Sequence, residues 1–121
     1  MSQRHIGNAV GHFDIAGPDL DALRSFYAGV FGWTIESVGP GYALIRTPEG
    51  GVDGAIVETE TPAITLGVVA PNLAQALAAA ERLGGAIVMP ATDNGWVTKA
   101  QIADPFGNIV TLIDGSGERA R

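Results

Sequence analysis

The residues of this chain best suited to chemistry are a histidine and two carboxylates in strand-like segments. His12 and Asp14 alternate with Phe13 and Ile15 in HFDI, and Glu58 ends the segment GAIVE. An imidazole titrates near neutral pH, so His12 can serve as metal ligand, base or hydrogen-bond donor. The alternative is a hydrogen-bonded histidine without a catalytic role. Glu58 can act as a general base where burial raises its pKa, but at an exposed strand end it would be only a solvated carboxylate.

A second set of residues suits the contact of a ligand rather than its chemistry. Tyr42 and Trp96 stand next to glycines near the starts of strand-like segments, where a ring can form one wall of a cleft; packing in the core is the alternative. Arg46 and Lys99 interrupt apolar segments and can attract an anionic substrate, although such side chains also extend to solvent. Asp104 belongs to the turn sequence DPFGN, and we interpret it as structural.

The elements that must position these residues occur twice, 53 residues apart. The segment 13–32 reappears as 66–85, which predicts two copies of one supersecondary unit. The copies share prolines, helix-cap residues and glycines at matching positions: Pro18 and Pro71, Asp19 and Asn72, Gly32 and Gly85, Gly54 and Gly107. A functional site in such a protein is most naturally sought in the groove between the copies.

Each copy predicts the element order βαβββ. Alternating apolar residues indicate a first strand, an Asp or Asn then caps a helix, and glycine ends it. The helical stripe of the first copy is predicted at Leu20, Leu23, Phe26, Tyr27 and Val30, and the aromatic residues around this helix, Phe31 and Trp33 included, are expected in the core. Three short strand-like segments follow each helix. Module one spans about 9–60 and module two about 63–114, within a single domain of residues 1–121.

Composition excludes several classes of partner. The chain has 121 residues, 46% of them hydrophobic, and a net charge of −6 from 7 Lys and Arg against 13 Asp and Glu. Nucleic acid and anionic membrane surfaces are poor partners for that balance, and no segment is apolar enough to span a membrane. No cysteine is present, which excludes disulfides and thiolate metal sites. We expect a cytoplasmic protein, with His5 solvated in a polar leader and a frayed tail from Gly115.

The motifs HFDIAGPDL and FYAGVFGW in the first copy, with NGW and ADPFGNIVTL in the second, resemble the vicinal oxygen chelate superfamily. This superfamily includes glyoxalase I, bleomycin-resistance proteins, extradiol dioxygenases and fosfomycin-resistance enzymes. The resemblance runs from about His12 to Asp114 and is strongest to short glyoxalase-like proteins, which also have a Gly-Trp before the DP.GN turn. It implies an α+β fold, in which tandem βαβββ modules form a curved mixed sheet around a groove, with the helices outside.

The resemblance also implies positions for metal ligands, one in the first and one in the last strand of each copy. These positions are His12 and Glu58 in module one, and Thr65 and Thr111 in module two. Imidazole and carboxylate are good ligands for first-row metals, whereas threonine hydroxyls are poor ones. The expectation is a weakly held divalent ion, Zn, Ni, Mn or Fe, unless Asp14 or a second protomer completes the site.

Three hypotheses about function follow from these residues. The first is a glyoxalase-like protein that binds a small organic molecule in the groove and performs lyase or isomerase-type chemistry with Glu58 and His12. The second is a metal-free drug or metabolite binder, and the third is a regulatory or assembly module. The ligand contacts expected in the first two are Tyr42, Trp96, Thr65, Thr111 and Arg46. The resemblance alone implies a homodimer.

Overall fold

A computed structural model describes residues 7–115, so His5 and the residues beyond Gly115 lie outside the described residues. Two helices and eight strands follow one another in the predicted order: β1 (Ala9–Gly17), α1 (Leu20–Phe31), β2 (Thr34–Gly39), β3 (Tyr42–Arg46), β4 (Gly54–Glu58), β5 (Ala63–Ala70), α2 (Leu73–Arg82), β6 (Ala86–Asp93), β7 (Thr98–Ala103) and β8 (Ile109–Asp114). The α+β class and the tandem βαβββ order are therefore confirmed. Within 7–115, neither helix is long and apolar enough to cross a bilayer.

The described chain divides into two compact units. Residues 11–67 form one unit, and residues 68–115 with 7–10 form the other. In module one the strand order is β2-β3-β4-β1, with β4 parallel to β1 and both hairpins antiparallel. In module two the order is β5-β8-β7-β6, and its hairpins are also antiparallel. A shared groove and a single domain stay predictions.

Both helices begin at the residues that the sequence predicts. The Asp19 carboxylate accepts a hydrogen bond from the amide of Ala22 at 3.0 Å, and the Asn72 side chain accepts one from Gln75 at 3.0 Å. These caps satisfy first-turn N–H groups that have no partner inside the helix. Helix α1 ends at Gly32, whose positive φ of 73° is the left-handed conformation that glycine adopts without strain.

The core of module one lies between α1 and one face of its sheet. Five buried residues form it: Ile15, Ile35, Ala43, Ile45 and Ile56. The helix contributes half-buried side chains from its first three turns: Leu20, Leu23, Tyr27 and Ala28. Burial of apolar area at about 25 cal/mol per Å² holds the helix on this face. The opposite face of the sheet is therefore the one available to a ligand within this module.

The expectation that every aromatic residue of this helix lies in the core is wrong. Phe26 is 57% exposed and Phe31 is 56% exposed, whereas Tyr27 and Trp33 pack against the core. The side of α1 that contacts the core carries Leu23, Tyr27 and Ala28, and Phe26 lies beyond the edge of this side, toward solvent. The exposed rings remain in contact with the buried ones: the ring centroids of Phe31 and Trp33 are 4.9 Å apart.

Module two has a smaller core of the same design. Its buried residues are Ala70, Leu73, Ala100 and Leu112, and Ala76 and Leu77 of α2 pack against them. Small side chains dominate here, so less apolar area is buried than in module one. Leu83, which follows the last residue of α2, is 70% exposed.

The internal repeat changes length before the last strand. The Thr59 amide donates to the Gly17 carbonyl at 2.8 Å, and the Gly115 amide donates to the Ala70 carbonyl at 2.9 Å. Gly17 and Ala70 are 53 positions apart, but Thr59 and Gly115 are 56 positions apart. The β6–β7 hairpin is longer than the β2–β3 hairpin, which accounts for the shift.

The predicted equivalence of Gly54 and Gly107 is consequently wrong. Gly54 begins β4, where an added Cβ would lie 2.8 Å from ring atoms of Phe13. Gly107 lies in the turn before β8, with φ of 97° and an amide bonded to the Asp104 carbonyl at 2.9 Å. The two glycines serve different purposes: one permits close approach of a ring, and the other permits a left-handed turn.

Candidate functional site

The pairing of β1 with β4 decides which side chains of module one share a face. Phe13 pairs with Gly54, Asp14 with Ala55, and Gly17 with Glu58. Successive side chains of a strand point to opposite faces, and laterally paired residues point to the same one. Since Ile15 lies in the core beside α1, His12 and Asp14 lie on the opposite face. We call this surface the His12 face; it comprises the outward residues of β1–β4, among them His12, Asp14, Tyr42, Leu44, Arg46 and Ala55.

His12 and Asp14 form a hydrogen-bonded pair on this face. The His12 Nε2 lies 2.9 Å from Asp14 Oδ1, and the two side chains are 26% and 22% exposed. A carboxylate accepts only, so Nε2 carries the hydrogen of this bond. The free nitrogen is then Nδ1 when the ring is neutral. The arrangement resembles the carboxylate–imidazole pairs in which the acid fixes the tautomer of a base or ligand.

Tyr42 lies on the same face as this pair. It begins β3 and pairs with Val57, which has the same orientation in β4 as Ala55. Burial raises the pKa of the Tyr42 phenol above its usual 10.0, and the nearby Asp14 carboxylate raises this pKa further. Both effects disfavour the phenolate, so at neutral pH the hydroxyl is a hydrogen-bond donor or acceptor next to the acid.

A cavity of about 210 Å³ opens beside His12. Its polar lining comes from His12, Arg46 and Asp53, and its apolar lining includes Leu44. The Asp53 Oδ1 accepts from the Thr47 amide at 2.8 Å, so this carboxylate is engaged by the loop before β4. The sequence analysis did not single out Asp53, because it lies in a Gly-rich loop where a carboxylate usually shapes a turn.

Glu58 lies away from these groups. Its pairing with Gly17 gives it the orientation of Ile15 and Ile56, on the side of α1, and its side chain is exposed at the strand end. Gly17 is five positions along β1 from His12, which corresponds to roughly 16 Å at the rise of a strand. The register therefore does not support a site shared by His12 and Glu58.

The position where a second ligand strand would contribute a donor is occupied by alanine. Ala55 pairs directly with Asp14 on the His12 face and is fully buried. Among the described residues, no three His, Cys, Asp or Glu side chains lie close enough to hold a metal ion together. The His12–Asp14 pair and the Asp53 carboxylate, which the Thr47 amide engages, therefore do not make up the three protein ligands that a resident catalytic metal normally takes.

Module two supplies hydroxyl, amide and ammonium groups. Thr111 is only 4% exposed, and its Oγ1 accepts from Gln101 Nε2 at 3.3 Å on the neighbouring strand. Thr65 is half-buried in β5, and Lys99 is half-buried in β7. Trp96 lies in the β6–β7 loop with 76% of its surface exposed, and the Asn94 side chain accepts from its amide at 2.9 Å.

Asp114 is a residue that the repeat of 53 positions could not reveal. Because the Gly115 amide bonds to Ala70 as the Thr59 amide bonds to Gly17, Asp114 has in module two the register position that Glu58 has in module one. The carboxylates at the two strand ends are therefore structural equivalents, whereas Thr111 is not equivalent to Glu58. The longer second hairpin conceals this relation from a sequence comparison at constant spacing.

A larger cavity of about 500 Å³ lies along α2, and none of its described lining residues belongs to the His12 face. Its lining comes from Asn8, Pro71, Asn72, Gln75, Ala76, Ala79 and Arg82. Among the described residues of that lining, only Arg82 is charged. Volume alone does not make a site, and the imidazole, guanidinium and carboxylate that line the smaller cavity favour it over the larger one.

Several solved structures have a similar fold at low identity. Methylmalonyl-CoA epimerase from Mycobacterium tuberculosis aligns with a TM-score of 0.66 and 19% identity over 86% of this chain and 85% of that one. A Streptomyces coelicolor methylmalonyl-CoA epimerase in complex with 2-nitronate-propionyl-CoA aligns with a TM-score of 0.63 and 16% identity over 93% of this chain and 98% of the epimerase. An extradiol ring-cleaving dioxygenase from B. fuscum aligns with a TM-score of 0.68 and 17% identity over 86% of this chain and 31% of the dioxygenase.

The sequence gives a family assignment of its own. No curated protein sequence matches the chain. A family model described as Glyoxalase/Bleomycin resistance protein/Dioxygenase superfamily matches residues 9–112, most of both modules. The similar fold of the epimerase and dioxygenase structures agrees with this match. The chain therefore belongs to the glyoxalase/bleomycin resistance protein/dioxygenase superfamily.

Proposed function

We propose that this protein binds a small organic molecule on the His12 face of module one. The observation that carries the proposal is the hydrogen bond of 2.9 Å between His12 Nε2 and Asp14 Oδ1, beside a cavity and a phenol. Such a pair has a definite acceptor, His12 Nδ1, and a carboxylate that stabilises the protonated ring. It can anchor a hydroxyl or carbonyl group, or move a proton.

The chemistry that suits this arrangement is proton transfer of the isomerase or lyase type. His12 Nδ1 takes a proton from the bound molecule, Asp14 stabilises the imidazolium, and the Tyr42 hydroxyl donates a hydrogen bond to oxygen that gains negative charge. The structurally similar epimerases bear names that imply inversion at a carbon centre, and abstraction of a proton by His12 supplies the first half of such a reaction; the second half requires an acid that returns a proton to the opposite face of the carbon. In this proposal His12 is the catalytic residue and Asp14 its positioning residue.

A metal-free binding protein is the second candidate, and Ala55 favours it. With alanine across from Asp14, and with no three His, Cys, Asp or Glu side chains of the described residues close together, a divalent ion, whether Zn, Ni, Mn or Fe, would lack the three protein ligands that it normally has. No step of the proposed chemistry runs through such an ion. A binder needs only burial of apolar surface and one or two polar anchors, which Leu44, Tyr42 and the His12–Asp14 pair supply.

Other parts of the proposal rest on sequence pattern and resemblance. Trp96, Thr65 and Thr111 are proposed as further ligand contacts from module two. A homodimer is proposed because the resemblance implies one, and a cytoplasmic location because composition favours it. Glu58 is left outside the proposed catalytic site because its pairing with Gly17 directs it to the other face.

Calorimetric titration of a panel of small 2-oxo acids, 2-hydroxy acids, catechols and antibiotics tests the proposal. The variants are His12→Gln, which keeps a polar side chain without the base, and Glu60→Gln as a matched surface control. Any ligand of the native protein should bind at least about tenfold more weakly to His12→Gln and equally to the control. Ligands that bind both variants as well as the native protein would refute a site at His12.

A further inference from the structure

Arg46 is the cation of the His12 face. Among residues 7–115, the ionisable side chains that the register places on this face, besides His12 and Tyr42, are Asp14, Glu36 and Arg46, and Asp53 lines the same cavity as His12. Arg46 ends β3, pairs with Thr34 and lines the same cavity as His12. A single guanidinium among carboxylates would ordinarily pair with one of them.

No such pair forms within the described residues. Asp14 bonds to His12, and Asp53 Oδ1 accepts from the Thr47 amide and hydroxyl at 2.8 and 3.4 Å. Over the described part of the chain, Arg46 makes no hydrogen bond or ion pair with another side chain or carbonyl. Its planar fork of N–H donors is therefore available at the cavity, in the geometry that binds a carboxylate through two parallel hydrogen bonds.

The carboxylates around Arg46 limit the charge of its ligand. A monoanion neutralises the guanidinium, whereas a second negative charge in the same cavity would lie close to the Asp53 carboxylate. Like charges at a few Å repel strongly where water is partly excluded. The face is consequently suited to a monoanion and unsuited to phosphate esters or dicarboxylates.

The size of the cavity limits the ligand as well. Its volume of about 210 Å³ corresponds to about seven water molecules at their share of liquid volume. This is below the range of drug-sized pockets, which begins at about 300 Å³. A short carboxylic acid fits, with its carboxylate at Arg46 and its second or third carbon toward His12.

We propose that the cavity of the His12 face binds a short-chain monocarboxylate, with Arg46 as the residue that selects it. This inference rests on the proposed function, since it specifies the molecule that the His12 face receives. Arg46 pairs with the carboxylate, and Leu44 contacts the chain. The substituent on the carbon next to the carboxylate lies at His12.

The test compares acids with their neutral esters. Lactate, pyruvate and propionate are titrated calorimetrically against the full chain beside their methyl esters, with malonate as the dianion. The acids should bind in the millimolar range or tighter, and the esters and malonate about tenfold more weakly or worse. Arg46→Gln should abolish the preference for acid over ester, whereas Arg46→Lys should retain part of it. Arg82→Gln removes an equal charge from α2 and should leave the affinity for the acids unchanged. Thermal midpoints show that each variant is folded.

The outcomes separate this inference from the proposed function. If esters bind as well as acids and both depend on His12, the monocarboxylate is refuted while the His12 site stands. If acids bind through Arg46 but His12→Gln leaves their affinity unchanged, the anion site at Arg46 is supported and the proposed role of His12 is refuted. Absence of acid binding at millimolar concentration, or equal acid binding by Arg46→Gln, overturns the inference.

Discussion

Asp14 and Ala55 lie side by side in the parallel pairing of β1 with β4, on the face away from α1. The first residue is bonded to His12, and the second offers only a methyl group. Next to the His12–Asp14 pair, β4 therefore offers no donor. This distinguishes the chain from a protein that holds a metal between two strands.

Metal binding should be weak. Zn²⁺, Ni²⁺ and Mn²⁺ added to the purified protein should be lost on dialysis, because His12 and Asp14 are two donors where a resident ion normally has three or more. Elemental analysis after dialysis measures how much of each metal remains bound, and His12→Ala should change this amount little. Stoichiometric metal that survives dialysis, and that His12→Ala removes, would contradict the account.

The phenol of Tyr42 should titrate above its usual pKa of 10.0, since burial and the Asp14 carboxylate both disfavour the phenolate. Absorbance of the phenolate in a Tyr27→Phe background follows this group alone. Asp14→Asn should lower the Tyr42 pKa but leave the effect of burial. Because the pKa of Tyr42 is raised in the folded state, the stability that the protonated phenol contributes is present below pH 10. This contribution is lost as the pH rises through the folded-state pKa. A Tyr42 pKa at or below 10.0 in the native protein would show that the phenol is not next to Asp14.

The pKa of Asp104 should lie below its usual 3.8. The Asn108 side-chain amide donates to the Asp104 carboxylate at 2.7 Å, and backbone amides of the same turn also donate to it. Stability from this group is thus present above pH 3.8 and lost as the pH falls through the folded pKa. Carboxyl NMR titration measures it, and Asn108→Ala should shift the pKa upward. An unchanged pKa in Asn108→Ala would assign the effect to the backbone donors alone.

Removal of core volume in module one should cost far more stability than removal of an exposed ring. Ile45 is fully buried, so Ile45→Ala should lower the free energy of unfolding by about 2 to 5 kcal/mol. Phe26 is 57% exposed, and Phe26→Ala should cost about 1 kcal/mol or less. Urea unfolding measures both. Equal losses would mean that Phe26 is covered in solution, as a dimer interface would require.

Local signals in the sequence were sufficient to predict the element order, the start of both helices and the end of α1. Asp19, Asn72 and Gly32 each act through contacts within a few residues, so their roles can be predicted without tertiary structure. The alternation around Phe13 and Ile15 likewise predicted that His12 and Asp14 share a face. These features depend on periodicity and capping, which a single chain displays directly.

Relations between distant strands could not be obtained in the same way. The partner of Gly17 is fixed by the register of β1 and β4, and a shift of one residue reverses the face of every side chain. Glu58 was assigned to the His12 site by motif position, and the register places it on the face of α1. The bond between His12 and Asp14 also needed the structure, since residues two apart in a strand share a face without necessarily meeting.

The most direct test of a ligand site at His12 is the imidazole itself. The chain has two histidines, so ring signals in a long-range ¹H–¹⁵N NMR spectrum can be assigned by comparison with His12→Gln. The account predicts that the free protein carries hydrogen on Nε2, and that a bound ligand shifts Nδ1 of His12 and leaves His5 unchanged. A ligand that binds without any change in the His12 ring would contradict the central claim.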